Sequence, residues 1–168
     1  MSIIPEFKIE SGYIPGSIGR IAELHGTFYY DHWNFGLYFE AKVAIELSEF
    51  LSRYDNNRDG IWIVTGNSRI EGSIVIDGIH AEDEGAHLRW FIISEALRGY
   101  GVGRKLINRA IDFCKSRGYK KTYLWTFEGL DAAGHLYENA GFELIKKHSG
   151  VQWGTMVNEQ YLELRNVR

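Results

Sequence analysis

The segment Leu97-Arg98-Gly99-Tyr100-Gly101-Val102-Gly103-Arg104-Lys105-Leu106 constrains this chain more than any other stretch. Before it, His87 to Ile93 is nearly all apolar at its end and reads as a strand buried on both faces. After it, Val102 to Arg117 places Leu106, Ile107, Ala110, Ile111, Phe113 and Cys114 at helical spacing, the stripe of an amphipathic helix. Glycines at Gly99, Gly101 and Gly103 leave backbone N–H groups open and let a bulky anion approach. The helix brings partial positive charge at its N-terminus, and Arg98 and Arg104 add forked donors. These features suit a pyrophosphate. Two familiar phosphate loops fail here. The dinucleotide fingerprint Gly-x-Gly-x-x-Gly would need glycine at Arg104 or at Leu106. A P-loop would need glycine at Arg104 and a hydroxyl residue at Leu106.

Hydropathy periods give the rest of the order. A strand is expected over Phe7 to Tyr13, then a break at Pro15-Gly16-Ser17, with Ser17 a candidate helix cap. Helices follow over Ile18 to Tyr30 and Leu37 to Tyr54, separated by Trp33-Asn34-Phe35-Gly36. Ile61 to Thr65 and Ile70 to Asp77 form a hairpin about Gly66-Asn67, and an acidic loop runs from Gly78 to Gly85. Beyond the glycine loop and its helix, Gly118 suits the C′ position, Lys121 to Phe127 is a strand, and Asp131 caps a short helix closed by Gly141. Phe142 to Lys147 and Tyr161 to Leu164 are the last strands. Strand, two helices, three strands, helix, strand, helix and two strands make an α/β or α+β domain with a mixed sheet.

The 168 residues fit one domain over 1–168. Net charge is −3 and the basic stretches (Arg104-Lys105, Arg117 to Lys121, Lys146-Lys147) are short, so nucleic acid is not an expected partner. One cysteine, Cys114, excludes an intrachain disulfide, and its place on an apolar stripe argues against a covalent intermediate. The histidines show no metal spacing. No apolar run reaches the roughly 20 residues of a membrane span. The start MSIIPEFKIES lacks the parts of a secretory signal, so a cytoplasmic protein with no membrane partner is expected.

Arg-x-x-Gly-x-Gly fits at Arg98, Gly101 and Gly103, and it closely resembles the coenzyme A loop of the GCN5-related N-acetyltransferase (GNAT) superfamily. Downstream, Leu136-Tyr137-Glu138-Asn139-Ala140-Gly141-Phe142 looks like that superfamily's LYxxxGF segment. The resemblance covers roughly Trp62 to Leu164. At the N-terminal end, Ile21 to Gly26, Tyr29, Trp33 and Phe39 to Ala44 resemble the acetyltransferase half of proteins that fuse a MarR-type regulator to such a domain. The resemblance implies a mostly antiparallel mixed sheet of about seven strands flanked by about four helices.

It also implies acetyl-CoA as cofactor and direct attack on the thioester by a primary amine, that of a small molecule, an amino acid derivative or a protein. The cofactor would lie where the strand ending in Phe91, Ile92 and Ile93 splays from Lys121 to Phe127, with the loop Arg98, Gly99, Tyr100, Gly101, Val102, Gly103 and Arg104 at the pyrophosphate. The backbone N–H of Ile93 or its neighbour would polarise the carbonyl. Tyr137 occupies the position that often protonates the departing thiolate. Deprotonating an alkyl amine at pH 7 costs roughly 4–5 kcal/mol. Candidate bases are Glu84, His87 and Glu128. The first two helices wall the acceptor site in this superfamily, which brings forward Glu23, His25, Tyr29, Tyr30, Trp33 and Glu40, and Arg89 is a candidate for a substrate carboxylate. The sequence departs at Leu130, where many members carry asparagine at a pantetheine contact. Two rival readings stay open: a non-catalytic acyl-CoA-binding module, and a transferase of a longer acyl group, which a deep apolar pocket near Trp90, Trp125 and Phe127 would favour. Exposed strands near the C-terminus make a homodimer an expected assembly.

Overall fold

The computed structural model describes residues 3–166. Met1, Ser2, Val167 and Arg168, the ends of the expected domain 1–168, lie outside the described residues. In chain order the elements are β1 (Lys8–Ser11), α1 (Ser17–Trp33), α2 (Leu37–Ser52), β2 (Gly60–Gly66), β3 (Arg69–Asp77), β4 (Ala86–Ile93), α3 (Val102–Ser116), β5 (Lys121–Phe127), α4 (Asp131–Ala140), β6 (Glu143–Gly150) and β7 (Val157–Arg165). The strands form one sheet in the order β1-β2-β3-β4-β5-β7-β6. Every neighbouring pair is antiparallel except β4 and β5, which are parallel because α3 carries the chain back between them. The mixed, mostly antiparallel sheet of seven strands and four helices agrees with the expected fold class.

Local chemistry explains the element ends. The β2–β3 turn falls one residue later than expected, at Asn67 and Ser68, whose φ values of 51° and 62° are those a two-residue hairpin of the right twist needs. Gly118 takes φ 72° just past α3, and the N–H of Tyr119 bonds the Cys114 carbonyl. Two expected caps are corrected. Ser17 lies inside α1 and turns its hydroxyl back to the Ile14 carbonyl, and Gly16 precedes the helix. Asp131 is the first residue of α4, with Leu130 before it and no side-chain cap.

Two apolar layers sandwich the sheet. On one face α3 buries Leu106, Ile107, Ala110 and Cys114 against Val64, Ile74, Leu88 and Leu124. On the other, α1 and α2 bury Ile21, Phe39, Leu47 and Phe50 against Ile61, Ile63, Val75 and Phe127. Each Leu, Ile, Val or Phe among them contributes roughly 1.5–3 kcal/mol when fully buried. The two helices approach closely at Gly26, where a Cβ would stand 2.5 Å from the Glu40 carboxylate.

The feature that shapes the sheet is a bulge in β4. Ser73 pairs with Ile92 and Val75 with Arg89, so Trp90 and Phe91 together oppose Ile74. Trp90 takes φ 44°, an uncommon conformation for a bulky residue. The buried Ser73 hydroxyl donates to the Trp90 carbonyl at 2.7 Å and holds it there. The extra residue changes the phase of the strand. Leu88, Phe91 and Ile93 pack with the α3 layer, whereas Trp90 joins the α1–α2 layer next to Arg89. The expectation that this strand is buried on both faces is therefore corrected: burial alternates, with His87, Arg89, Phe91 and Ile93 only half-buried. Ser73→Ala leaves the Trp90 carbonyl without its partner and is expected to cost about 1–3 kcal/mol of stability in urea unfolding.

Candidate active site

β4 and β5 are paired only at Ala86 with Thr122 and His87 with Tyr123. Past these two rungs the strands part, and a cavity of about 350 Å³ opens in the split. Phe91, Leu130, Ala133 and Tyr137 line it from the α3–α4 side, and His25, Tyr29, Lys42 and Glu46 line it from α1 and α2. His87, Arg89, Trp90, Trp125, Phe127, Gln152 and Trp153 complete the walls. The apolar Leu130 stands on this wall where the family resemblance leads one to expect asparagine.

The glycine loop begins where β4 ends. Its first residues are fixed by a polar relay centred on Glu71, the extra residue of a second bulge, in β3. The Ser94 N–H donates to the Glu71 carbonyl at 2.7 Å, the Ser94 hydroxyl donates to the Glu71 carboxylate, and Arg20 pairs with that carboxylate at 3.2 Å. A 3-10 turn at Glu95–Leu97 leads into the loop. The glycines divide the work. Gly99 and Gly101 have φ 83° and 78°, and nothing lies within 4 Å of where their Cβ atoms would be. Gly103 is needed for packing, since a Cβ there would stand 2.9 Å from Leu136 and 3.3 Å from Phe91. Buried Val102 pins the loop to the core, and Tyr100 and Arg104 stand exposed. Arg98 is engaged on the α1 side: its guanidinium lies 4.6 Å from the Phe28 ring centre and its Nε donates to the Ile93 carbonyl at 3.2 Å.

The structure brings Tyr137, His87, Phe91, His25, Tyr29 and Arg89 to one cavity. Ile92 and Ile93 lie on the β4 edge just beyond it, and buried Ile92 faces away from solvent. Trp33 is set back behind that wall, edge-on to Phe127 and against Gly129. Five sequence candidates are placed elsewhere, among them Glu40, exposed on α2 with its carboxylate against Gly26. Glu23 is exposed and pairs with Arg20 at 3.1 Å, because it faces out from α1. Tyr30 is likewise on the outer face, 60% exposed. Glu84 sits in the exposed turn before β4, and Glu128 is exposed and accepts from Asn158 at 2.9 Å. Lys42, Glu46, Gln152 and Trp153 line the cavity without having been singled out in the sequence. Lys42 and Glu46 sit at helical spacing on α2 and read there as an ordinary surface ion pair.

Burial sets the proton chemistry. It pushes the Tyr137 phenol well up, with nearby Tyr29 adding to the shift, so Tyr137 holds its proton at neutral pH. Burial also raises Tyr29 to about 12, against an opposing pull from Arg98. The Cys114 thiol is raised to about 11 by burial, so it is not a thiolate nucleophile at neutral pH. His25 is lowered to about 4 by burial, and its Nδ1 meets the Ile21 carbonyl at 2.8 Å, leaving Nε2 as the acceptor of a neutral ring. His87, stacked on Tyr123 with centroids 4.4 Å apart, is lowered to about 3 by burial and by Arg89.

These shifts have a sign. Below pH 6.5 His25 and His87 take up protons in the unfolded chain but not in the folded one, so their contribution to stability is full above that pH and is lost as pH falls, toward 4 for His25. The melting temperature is expected to fall on acidification through this window. His25→Phe, which cannot titrate, is expected to show a shallower fall in a pH series of thermal unfolding curves, whatever its stability at pH 7.5.

Comparison with known proteins gives these arrangements a setting. The profile of the Acetyltransferase (GNAT) family matches residues 19–142. A protein of Escherichia coli described as the uncharacterized N-acetyltransferase YjgM is 30% identical over 100 residues, which are 59% of this chain and 60% of that one. The chain spans no more than 60% of the length of the curated relatives it matches. The structure of yncA from Salmonella typhimurium with its cofactor acetyl-CoA superposes with a TM-score of 0.73 at 17% identity, covering 96% of this chain and 94% of that one. Spermidine N-acetyltransferase from Vibrio cholerae, in complex with CoA and spermine, gives 0.69 at 21% identity and covers 95% of each. At such identities the two structures establish the shared fold. The family profile spans more than half of the sequence, from α1 through the Tyr137 segment, and on that ground the chain belongs to the acetyltransferase (GNAT) family.

Proposed function

We propose that this protein transfers the acetyl group of acetyl-CoA to a primary amine by direct attack of the amine on the thioester. The observation that carries the reading is the split between β4 and β5. It joins an open glycine turn at the head of α3 to a cavity walled by a buried, protonated phenol on one side and by polar residues of α1, α2 and β4 on the other. The complexes of the Salmonella and Vibrio proteins, with acetyl-CoA and with CoA and spermine, support the choice of cofactor and of an amine acceptor.

The residues present fit coenzyme A. Gly99 and Gly101 present backbone with no side chain in the way, and α3 begins there with its positive end. Val102, Gly103 and Arg104 continue that cradle, and Arg98 and Tyr100 flank it. The cofactor supplies an activated acetyl thioester. Beyond His87 the β5-facing edge of β4 has no strand partner, so Phe91, Ile92 and Ile93 have main-chain groups for an extended amide-bearing arm and for the reacting carbonyl. Tyr137 is the donor of a proton to the leaving sulfur. Of the sequence candidates for a base, His87 is the one at the cavity. Its low proton affinity makes it an acceptor that orients the amine, and the proton leaves to solvent through the cavity mouth. Trp90, Trp125 and Phe127 do line the cavity, the feature named for a longer acyl group. Charged Lys42, Glu46 and Arg89 share it, which favours an acceptor over an acyl chain. We further propose a single cytoplasmic domain, its N-terminal helices akin to those of the acetyltransferase half of MarR fusions.

Calorimetric titration with acetyl-CoA, and with analogues lacking the pyrophosphate, tests the cofactor site. Micromolar binding that needs the pyrophosphate is expected, and Gly101→Glu is expected to abolish it, because φ 78° strains a side chain and the new carboxylate meets the anion. Undiminished binding by Gly101→Glu would overturn the loop's role. Tyr137→Phe is expected to lower kcat by roughly 100-fold with acetyl-CoA affinity kept. An unchanged kcat would remove the tyrosine from the reaction, and no turnover by the wild type would favour the binding module.

A further inference from the structure

The α2–β4 side of the cavity carries a charge imbalance. Lys42 Nζ meets one oxygen of Glu46 at 2.7 Å, and Arg89 Nη2 meets the other at 2.7 Å. Glu46 is the one acidic residue among the cavity-lining residues described, so two cations share a single carboxylate. Asp77 does not redress this. It lies 3.8 Å from Arg89 Nη1, does not line the cavity, and is taken through both oxygens by Arg53 at 3.0 and 2.6 Å. A lysine ammonium has three N–H donors and a guanidinium five, and the contacts to Glu46 use only part of them. The guanidinium carbon of Arg89 lies 4.1 Å from the centre of the Trp90 ring, so its fork is braced by the residue that forms the β4 bulge. Its side chain is only 21% exposed, where electrostatic attraction is screened less than in water.

The remaining walls are complementary to an apolar body. Trp125, Phe127 and Trp153 face the cavity with Phe39. Gln152 Nε2 is bound to the buried Glu159 at 2.6 Å, which leaves the carbonyl end of that amide for an incoming N–H.

Building on the acetyltransferase reading above, we propose that the acceptor is an amine that itself bears a carboxylate, an amino acid with an apolar or aromatic side chain. The acid sits on the remaining donors of Arg89 and Lys42, the side chain against the tryptophans, and the amine toward the split between β4 and β5. A polyamine, the ligand in the Vibrio complex, brings several positive charges to a cavity that already has one to spare, and like charges at such range repel.

The test is steady-state acetylation with acetyl-CoA, using L-phenylalanine and L-leucine, their amides, the amines left when the carboxylate is removed, and spermidine. The acids are expected to exceed their amides and amines at least tenfold in kcat/KM, with spermidine poorest. Arg89→Met is expected to raise KM for the acids at least tenfold while leaving KM for phenethylamine unchanged. Lys42→Met should give the same split with a smaller factor, and serves if Arg89→Met fails to fold. Equal use of acids and amines, turnover of spermidine in preference to the acids, failure to acetylate either acid, or equal loss on all substrates in the variants would overturn the proposal. Calorimetry with acetyl-CoA on the same preparation separates the two levels: intact cofactor binding with any of these outcomes removes the substrate class alone, whereas loss of cofactor binding removes the transferase reading itself.

Discussion

A hydrogen bond from a buried serine to a tryptophan carbonyl governs how this sheet is built. Ser73 holds Trp90 at positive φ, and one extra residue is thereby locked into β4. An unbulged β4 would run on beside β5 with its side chains in register. With the bulge, the strand bends away after two rungs, and its alternation changes phase. Arg89 and Trp90, neighbours in sequence, then both serve the α1–α2 side, while Phe91 crosses to meet Tyr137 with ring centroids 6.0 Å apart. The cavity, the cationic wall and the Phe91–Tyr137 contact all adjoin that insertion.

The second bulge, at Glu71, has a matching role one strand away. It gives a buried carboxylate that Arg20 and Ser94 share, so the exit from β4 is tied to α1 as well as to β3. The loop that follows therefore departs from a fixed point. Two of its glycines meet a backbone need and the third a packing need, a division that the even spacing of the three does not reveal. The wall of the site is charged and only partly exposed, which works because each ion there has at least one partner.

Much of this was legible in the residues. The strand–loop–helix unit, the seven strands and four helices, and the ends of α3 and β5 follow from hydropathy period and glycine position. Tyr137, His87, Phe91, His25, Tyr29 and Arg89 were named from sequence and do meet at one cavity. What escaped has a common cause. Glu23 and Tyr30 share a helix with His25 and Tyr29, and only the rotation of α1 against the sheet decides which face is inward. Lys42 and Glu46 sit four apart on α2, and nothing local shows that Arg89, forty-odd residues away, shares the carboxylate. The bulge in β4 is a long-range event too, since its stabilising hydroxyl sits on another strand and nothing local in Arg89-Trp90-Phe91 marks it.

The two rungs between β4 and β5 have a mechanical meaning. β1 to β4 and β5 to β7 are each knit by long antiparallel ladders, yet the main chain joins the two halves at Ala86 and His87 alone. Below the split, side chains take over, with Leu88, Leu124, Tyr137 and Leu162 in one cluster. A molecule bridging the split acts as mortar in a half-open seam, and it stabilises the folded chain more the further its free concentration exceeds its Kd. The seam is thus the place where occupancy and rigidity become the same quantity.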